Sequence, residues 1–519
     1  MNIAIKLFAI KLFATLFTIS LPTYLISVLI SVKPISAQVG DFCQFEEVAI
    51  AEKENLRLAA FAEKADSTKL RDYQALVKKH QQALKDCRQK SWLKTQGVWL
   101  RLYPCDLRSG KLEELMDKIV ERGYNQVFVE VTTNGKVLLP RSENNTAWDS
   151  LVNSEKYEDA DLLKLAIAKG RERGLKVHAW VFTMNFGLGY AKGIERNGLP
   201  KFNGDRQNAI ARNANGDTTV SVIEALGKNN EGEIPNIDQL FIDPYNYQAQ
   251  NDLYKLVSEV AKRKPDGIAF DYVRYKRGAG AASVVSNVRY LWIYGQASLQ
   301  ALRDRAQNLQ GRELIIRFLK QGFVTPNDLK AVKKLYPQED APLWQGLRPT
   351  MATKEPPLSY WQSELWRLAV GHAFVGVTYY LNTVSKPALQ QGIPSSIAFF
   401  SDGNQPVGDG FDSRMQPWHL FSRAYEWRPM AYAACGKPNC IVAQVQKVVL
   451  NAPLGAKVSP ILVGQWQDLP INELVDQRPS LELQMQSIRK ELPTISAISH
   501  FAFGWQNIPL TRSRQFCKL

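Results

Sequence analysis

Histidine is scarce in this chain, with five in 519 residues, and its six cysteines form neither a CxxC pair nor a cluster with histidine. Without such a ligand set no metal centre is expected, and zinc least of all. No glycine-rich phosphate-binding fingerprint follows the first apolar strand, so an open dinucleotide-binding sheet is not expected and no cofactor is called for. Low-complexity tracts are absent too. The first 37 residues hold no acid, only Lys6, Lys11 and Lys33 around an apolar core from about Leu12 to Val32. With Ile35-Ser36-Ala37 behind it, this reads as a secretory signal cleaved after Ala37. The core is also long enough to span a bilayer as an uncleaved anchor, so both readings stand.

Export changes the meaning of the cysteines, because thiols outside the cytoplasm tend to pair. Cys43 and Cys87 bracket a charged segment rich in Ala, Leu, Glu and Lys that breaks near Ala65-Asp66-Ser67-Thr68. Two helices of similar length folded back there would bring these cysteines together. Cys435 and Cys440 bracket a tight turn, which leaves Cys105 for Cys517. The net charge of +15 suits an anionic partner such as envelope glycan, acidic polysaccharide or lipid head groups. Surface charge without any partner is the other reading. Nucleic acid is not expected, since the cations are scattered and no binding motif appears.

Strand and helix alternate along the chain. Apolar strands are read at 97–103, 126–131, 176–182 and 267–270, with helices at 111–122, 161–173 and 253–263 that end at or near glycine or Lys-Pro. Four further strands are read at 396–400, 428–432, 458–463 and 500–503. Eight such units predict an α/β fold, a closed (β/α)8 barrel of the TIM type. The expected organisation is a signal at 1–37, a helical hairpin at 38–92 and a barrel at 95–519. Two insertions interrupt the barrel, a Gly- and Asn-rich loop at about 186–240 and a helical segment at about 277–357. Asp243-Pro244 is expected to cap the helix that follows.

The most informative segment is Pro265-Asp-Gly-Ile-Ala-Phe-Asp271-Tyr-Val-Arg274-Tyr275. A strand buried on both faces delivers a carboxylate and a guanidinium at its end, where a barrel has its mouth. A buried ion pair that ties down a loop is the plainer reading of the same residues.

Gly97-Val-Trp-Leu, Gly123-Tyr-Asn-Gln-Val-Phe-Val-Glu130, Arg173-Gly-Leu-Lys-Val-His-Ala-Trp180, Asp243-Pro244 and Asp266-Gly-Ile-Ala-Phe-Asp271-Tyr-Val-Arg-Tyr275 occur in this order. In that order they resemble the glycosyl-hydrolase-like family ten domain, a barrel of exported bacterial proteins. The likeness is good over about 95–275 and patchier at Gln416-Pro-Trp418, Pro429-Met-Ala-Tyr432 and Gly464-Gln-Trp466. It implies glycoside hydrolysis, and some members act on peptidoglycan glycan strands. The expected protein is therefore an exported glycosidase of the periplasm, cell envelope or extracellular space, with a polysaccharide substrate. A catalytically silent glycan-binding barrel is the alternative. A lyase or deacetylase is less expected without metal ligands.

Glycosidases commonly use two carboxyl groups flanking the scissile bond. Asp271 is expected as nucleophile or base, with Arg274 favouring its ionised form. For the second carboxyl, Asp402 follows a strand end in Ser401-Asp-Gly403, where an ordinary Asp-Gly turn also fits. Glu130 ends the second strand, where a salt bridge within the barrel is the competing reading. Asp412 and Glu426 are further carboxyls, each also readable as surface charge. His178 and Trp180 share a strand face and, with Asn185, are expected near the sugar, although a packed core histidine is common. Tyr275, Tyr432 and Trp466 lie near strand ends, where aromatic rings stack on sugars or simply fill the core.

Overall fold

The computed structural model describes residues 41–63, 67–133, 135–191, 204–219, 239–349, 355–433, 435–466, 478–517 and 519. The signal expected at 1–37 lies outside them, as do residues 65–66 of the hairpin break and much of the 186–240 loop. Eight parallel strands close into a barrel: β1 (Thr95–Leu100), β2 (Gln126–Glu130), β3 (Lys176–Phe182), β4 (Gly267–Asp271), β5 (Ser395–Phe399), β6 (Glu426–Ala431), β7 (Ile461–Val463) and β8 (Ala497–Phe501). Each strand pairs with its sequence neighbours, and β8 closes on β1 through Thr95 opposite Ala497. The TIM-type barrel expected from the alternation is the fold observed, with strand ends displaced by a few residues.

Alternation along the strands separates two buried populations. Val98, Val127, Val129, Val177, Ala179, Val181, Ile268 and Phe270 join the large cluster beneath the outer helices. Trp99, Phe128, Trp180, Phe182, Ala269, Ala398, Met430 and Ile461 form a separate cluster inside the barrel. Because side chains two apart share a face, this parity fixes which residues reach the mouth. Bulk is concentrated on β1 to β3, where Trp99 stacks on Phe128 at 4.4 Å and meets Trp180 edge-on at 5.0 Å. Alanines on β4 and β5 leave them room. Nearer the floor the filling turns polar. Gln126 Nε2 lies 2.8 Å from His178 Nε2, and Arg428 pairs with Glu426 at 2.8 Å while covering the Phe128 ring.

Helices α1 (Glu47–Ala60) and α2 (Ser67–Lys90) form the N-terminal hairpin, with α2 ten residues longer than α1. The expected similar lengths are not found: Cys43 sits in a turn ahead of α1 and Cys87 within α2. The two cysteines still pair, 5.8 Å apart at Cα, as do Cys105 with Cys517 and Cys435 with Cys440. The hairpin lies along α3 (Lys111–Glu121), the helix after β1. At the floor Arg88 donates to the carbonyls of Phe42, Leu93 and Gly123 and to Gln96 Oε1. Gly123 is obligatory there. Its φ is +77°, and a Cβ would come within 2.3 Å of the Phe42 carbonyl oxygen. At the mouth end Arg57 donates to the Gly110 carbonyl that begins α3.

Helix α4 (Leu162–Arg171) precedes β3, and α5 (Tyr247–Lys262) precedes β4. Asn246 caps α5 by accepting from Ala249 N, so the cap expected of Asp243 is corrected. Asp243 instead accepts from the backbone N–H groups of Tyr245 and Ser298, which ties the loop after β3 to α6 (Gln296–Arg303). Burial, against those two donors, pushes its carboxyl up to about 6. The 277–357 insertion contains α6, α7 (Leu309–Gln321) and α8 (Pro326–Leu335), so its helical reading holds. Beyond it α9 (Leu358–Val384) runs for 27 residues before β5, a helix unassigned from the sequence because it is apolar nearly all round. Among the described residues no helix is long and apolar enough to cross a membrane. Replacing Cys43 and Cys87 by serine together is expected to cost about 4 kcal/mol, from the entropy of the loop they close. Urea unfolding of the oxidised parent and the double variant measures it.

Candidate active site at the barrel mouth

Asp271 is the last residue of β4, which is buried along its whole length. Its parity with Ala269 turns the carboxyl inward. The side chain, 9% exposed, accepts from Tyr272 N at 2.6 Å and from the Trp180 indole N–H at 3.1 Å. Burial raises its pKa and outweighs the opposing pull of those donors and of the Arg274 charge. Arg274 does favour the ionised form, as expected, but burial outweighs it, and the reason lies in where the guanidinium goes. It donates to the Tyr275 carbonyl at 3.0 Å and lies over the rings of Tyr272, Phe241 and Phe400. It acts on Asp271 through its field, without a hydrogen bond. Tyr272 has φ +52°, a conformation a bulky residue rarely adopts, and the turn there aims its ring back over the mouth against Phe182 at 4.7 Å.

Glu130 ends β2 two residues beyond Phe128, so it too turns inward. It is 2% exposed and accepts from Arg101 Nε at 2.7 Å, while Arg101, two residues beyond Trp99, keeps nearly half its side chain in solvent. Burial disfavours the Arg101 cation, but the adjacent Glu130 carboxylate overcomes this and raises its pKa. The salt-bridge reading of Glu130 thus holds, and the bridge stands in the mouth. Tyr272 feels both acids. Burial first, then Asp271 and, more weakly, Glu130 push its phenol up to about 12, against Arg274 and Arg101. Two carboxyls and a protonated phenol thereby share one rim.

The remaining candidates divide. Tyr432, just beyond β6, faces Phe400 and Phe501 with ring centroids 6.0 Å away. Burial raises its phenol well above the ordinary value, with Asp271 and Tyr272 adding to the rise, which sets it in the same mouth. Trp180 lies one layer beneath and contributes its indole N–H to Asp271. His178 lies a layer lower still, in the polar floor, and burial brings it to about 3, so it is a neutral packed histidine. Tyr275 is buried, and burial, with the charge of Asp243 adding to it, raises its phenol well above the ordinary value. Asn185 accepts from the backbone N–H groups of Gly187 and Leu240, a loop fastener. Trp466 is buried outside the barrel, packed on Phe42, Tyr124 and His500. His178, Tyr275 and Trp466 are thus buried in packed surroundings, and Asn185 fastens a loop.

Asp402 follows the turn reading. It is half exposed and pairs with Arg414 at 3.0 Å, and Arg414 also holds the buried Asp412 through two hydrogen bonds. Glu426 likewise belongs to the floor through Arg428. Arg101, Phe182, Phe400 and Phe501 carry no local pattern that marks them as site residues. Counting by twos from Trp99, Trp180, Ala398 and Ser499 finds all four. Among the described residues no group of three or more His, Cys, Asp or Glu side chains is arranged to hold a metal.

The model of the glycosyl hydrolase-like 10 family matches residues 92–334. Solved structures similar to this chain include a glycoside hydrolase family 20 β-N-acetylglucosaminidase, 8% identical with a TM-score of 0.39, covering 82% of this chain and 67% of that one. An inactive variant of the family 20 exo-β-N-acetylglucosaminidase from Vibrio harveyi is 9% identical with a TM-score of 0.38, and 82% of this chain spans 52% of that enzyme. A hypothetical protein from Ruminiclostridium thermocellum is 16% identical with a TM-score of 0.23, covering 34% of this chain and 77% of that one. No curated protein sequence matches the chain. The stretch similar to the glycosyl hydrolase-like 10 family, residues 92–334, carries β1 to β4 with Glu130 and Asp271.

Proposed function

We propose that this protein is an exported glycoside hydrolase that cleaves a cell-envelope or extracellular polysaccharide, peptidoglycan glycan strands being the leading candidate, with Asp271 and Glu130 as its carboxyl pair. One observation carries the reading: a carboxyl that burial favours in its protonated form and an ion-paired carboxylate, both on inward strand ends, act electrostatically on one phenol at an aromatic-lined barrel mouth. The glycosyl hydrolase-like family supports the reaction class, and three disulfides support an oxidising compartment.

The charge arrangement exchanges the role expected of Asp271. A buried carboxyl with a raised pKa suits the general acid. Asp271 would pass its proton to the glycosidic oxygen as the bond to the anomeric carbon breaks and the electron pair stays on that oxygen. Glu130 would act on the anomeric carbon directly or take a proton from the attacking water. Tyr272, Phe400, Tyr432 and Phe501 offer ring faces and phenolic donors to the sugar. A silent glycan-binding barrel is the second reading. It is favoured by Asp271 being nearly closed to solvent with both oxygens already hydrogen-bonded.

Purified protein with the N-terminal segment removed is expected to release reducing ends from peptidoglycan glycan. Asp271→Asn and Glu130→Gln are each expected to lower kcat/KM by about 10²–10⁴-fold while binding holds. Binding without release by the parent protein on any glycan would establish the silent barrel instead. As the acid, Asp271 must be protonated, so kcat/KM should fall as pH rises through its raised pKa, and Asp271→Asn should leave no such limb in any residual rate.

The same carboxyl is a cost to the fold. Below the ordinary aspartate pKa it is neutral in both folded and unfolded chains and changes nothing. As pH rises from there through the raised folded value, the unfolded chain ionises more readily and stability is lost. Asp271→Asn should therefore stabilise the protein at pH 7 relative to its parent, and by less at pH 4. Thermal unfolding at the two pH values measures the difference.

A further inference from the structure

Helix α2 presents two unlike faces. Tyr73, Leu76, Val77, His80, Leu84 and Arg88 are buried against α1 and the barrel. The solvent face carries Lys69, Arg71, Lys78, Lys79, Lys85 and Lys90, all exposed, and the helix holds only two acids, Asp72 and Asp86. Asp86 is engaged by Gln82 Nε2 at 2.7 Å. Arg71, Lys78 and Lys85 recur at every seventh position. They form one row along the helix, with about 10 Å of axial rise between successive cations. Lys90 lies on a different side of the helix, and beyond the helix end the exposed Lys94 donates to the Gln89 carbonyl. Helix α1 is the opposite, with Glu47 and Glu52 on its exposed side and Glu46 exposed just ahead of it. Lys78 also borders a mixed-charge patch of Glu113, Lys169, Arg171 and Glu172.

We infer that the outer face of α2 is a docking rail for an extended acidic polysaccharide, separate from the barrel mouth. Charge complementarity identifies a polyanion, and three features select its shape. The row is straight and regularly spaced, as is the charge on a carboxylate-bearing glycan with one acid per repeat. The apolar face of α2 is already covered, so no apolar stripe remains to enter a bilayer. The acidic face of α1 runs alongside, which repels a broad anionic surface but not a single chain lying along α2. The hairpin docks with Arg57 at the mouth end of α3 and Arg88 at the floor, so the rail runs down the flank of the barrel from the level of the mouth. A polymer held there is kept close to the mouth, and its effective concentration at the site rises.

The test compares the parent protein with R71Q/K78Q/K85Q, which alters exposed side chains only and should leave the thermal midpoint unchanged. The probe is soluble polygalacturonate, with neutral dextran as control. Calorimetric titration is expected to show binding of polygalacturonate, not dextran, that weakens as salt is raised and is at least about tenfold weaker in the variant, or 1.4 kcal/mol. Hydrolysis of a short uncharged glycoside should be unchanged in the variant, so failure of the rail leaves the catalytic reading standing and the reverse also holds. Equal affinity of parent and variant overturns the inference. So does absence of polyuronate binding by the parent, preferential capture by anionic phosphatidylglycerol vesicles, or concentration-dependent self-association that the substitutions abolish.

Discussion

Closure of eight strands on one another is the constraint from which the other features follow. Once β8 pairs with β1, each strand has one inward and one outward parity, and a shift of one residue on any strand would exchange them. The inward set then has to fill a tapering space. Trp99, Phe128 and Trp180 do so from one side because Ala269 and Ala398 yield it on the other. The same parity carries upward to Arg101, Glu130, Phe182, Asp271, Phe400 and Phe501. Residues hundreds of positions apart meet at one rim because the packed layer below leaves them no other direction.

At that rim, burial and charge compete, and the outcome differs between the two carboxyls. Glu130 keeps a cation in contact, with Arg101 reaching it from solvent. Asp271 has only neutral donors in contact, since Arg274 is drawn to a carbonyl and three ring faces. A guanidinium without a bonded carboxylate neutralises less than it would in a paired fork, so desolvation prevails. Proximity in sequence misleads here. Only two residues separate Asp271 from Arg274, but the left-handed turn at Tyr272 sends the two side chains different ways.

The barrel was legible because parallel strands buried on both faces leave apolar runs, and glycines mark where helices stop and strands begin. β3 was read with its observed limits for this reason. The disulfide pairs were legible from spacing at Cys43 and Cys87 and from elimination at Cys105 and Cys517. Helix α9 was not, because a helix covered on most sides has no polar face to reveal its period. Asp243 was misread as a cap, since its partner Ser298 is 55 residues away and no local pattern announces it. In the site, position was more legible than role. Strand ends pointed to Glu130 and Asp271, whereas the direction in which each proton balance tips depends on contacts that only the fold brings together.

The hairpin illustrates a different balance. Lys53 lies between Asp117 and Glu121, and Arg173 and Tyr73 both bond Asp117, all of them buried between hairpin and barrel. Burying such charges consumes much of the attraction between them, so the network adds less to stability than its contact distances suggest. Removing any one partner, however, leaves a buried charge uncompensated, which penalises every other placement of the hairpin. The network therefore fixes where the hairpin sits, while the Cys43–Cys87 bond and the apolar residues of α2 supply the stability to keep it there. Position is the property that matters for the outer face of α2: a row of cations directs a polymer past the barrel only if the helix bearing it cannot swing.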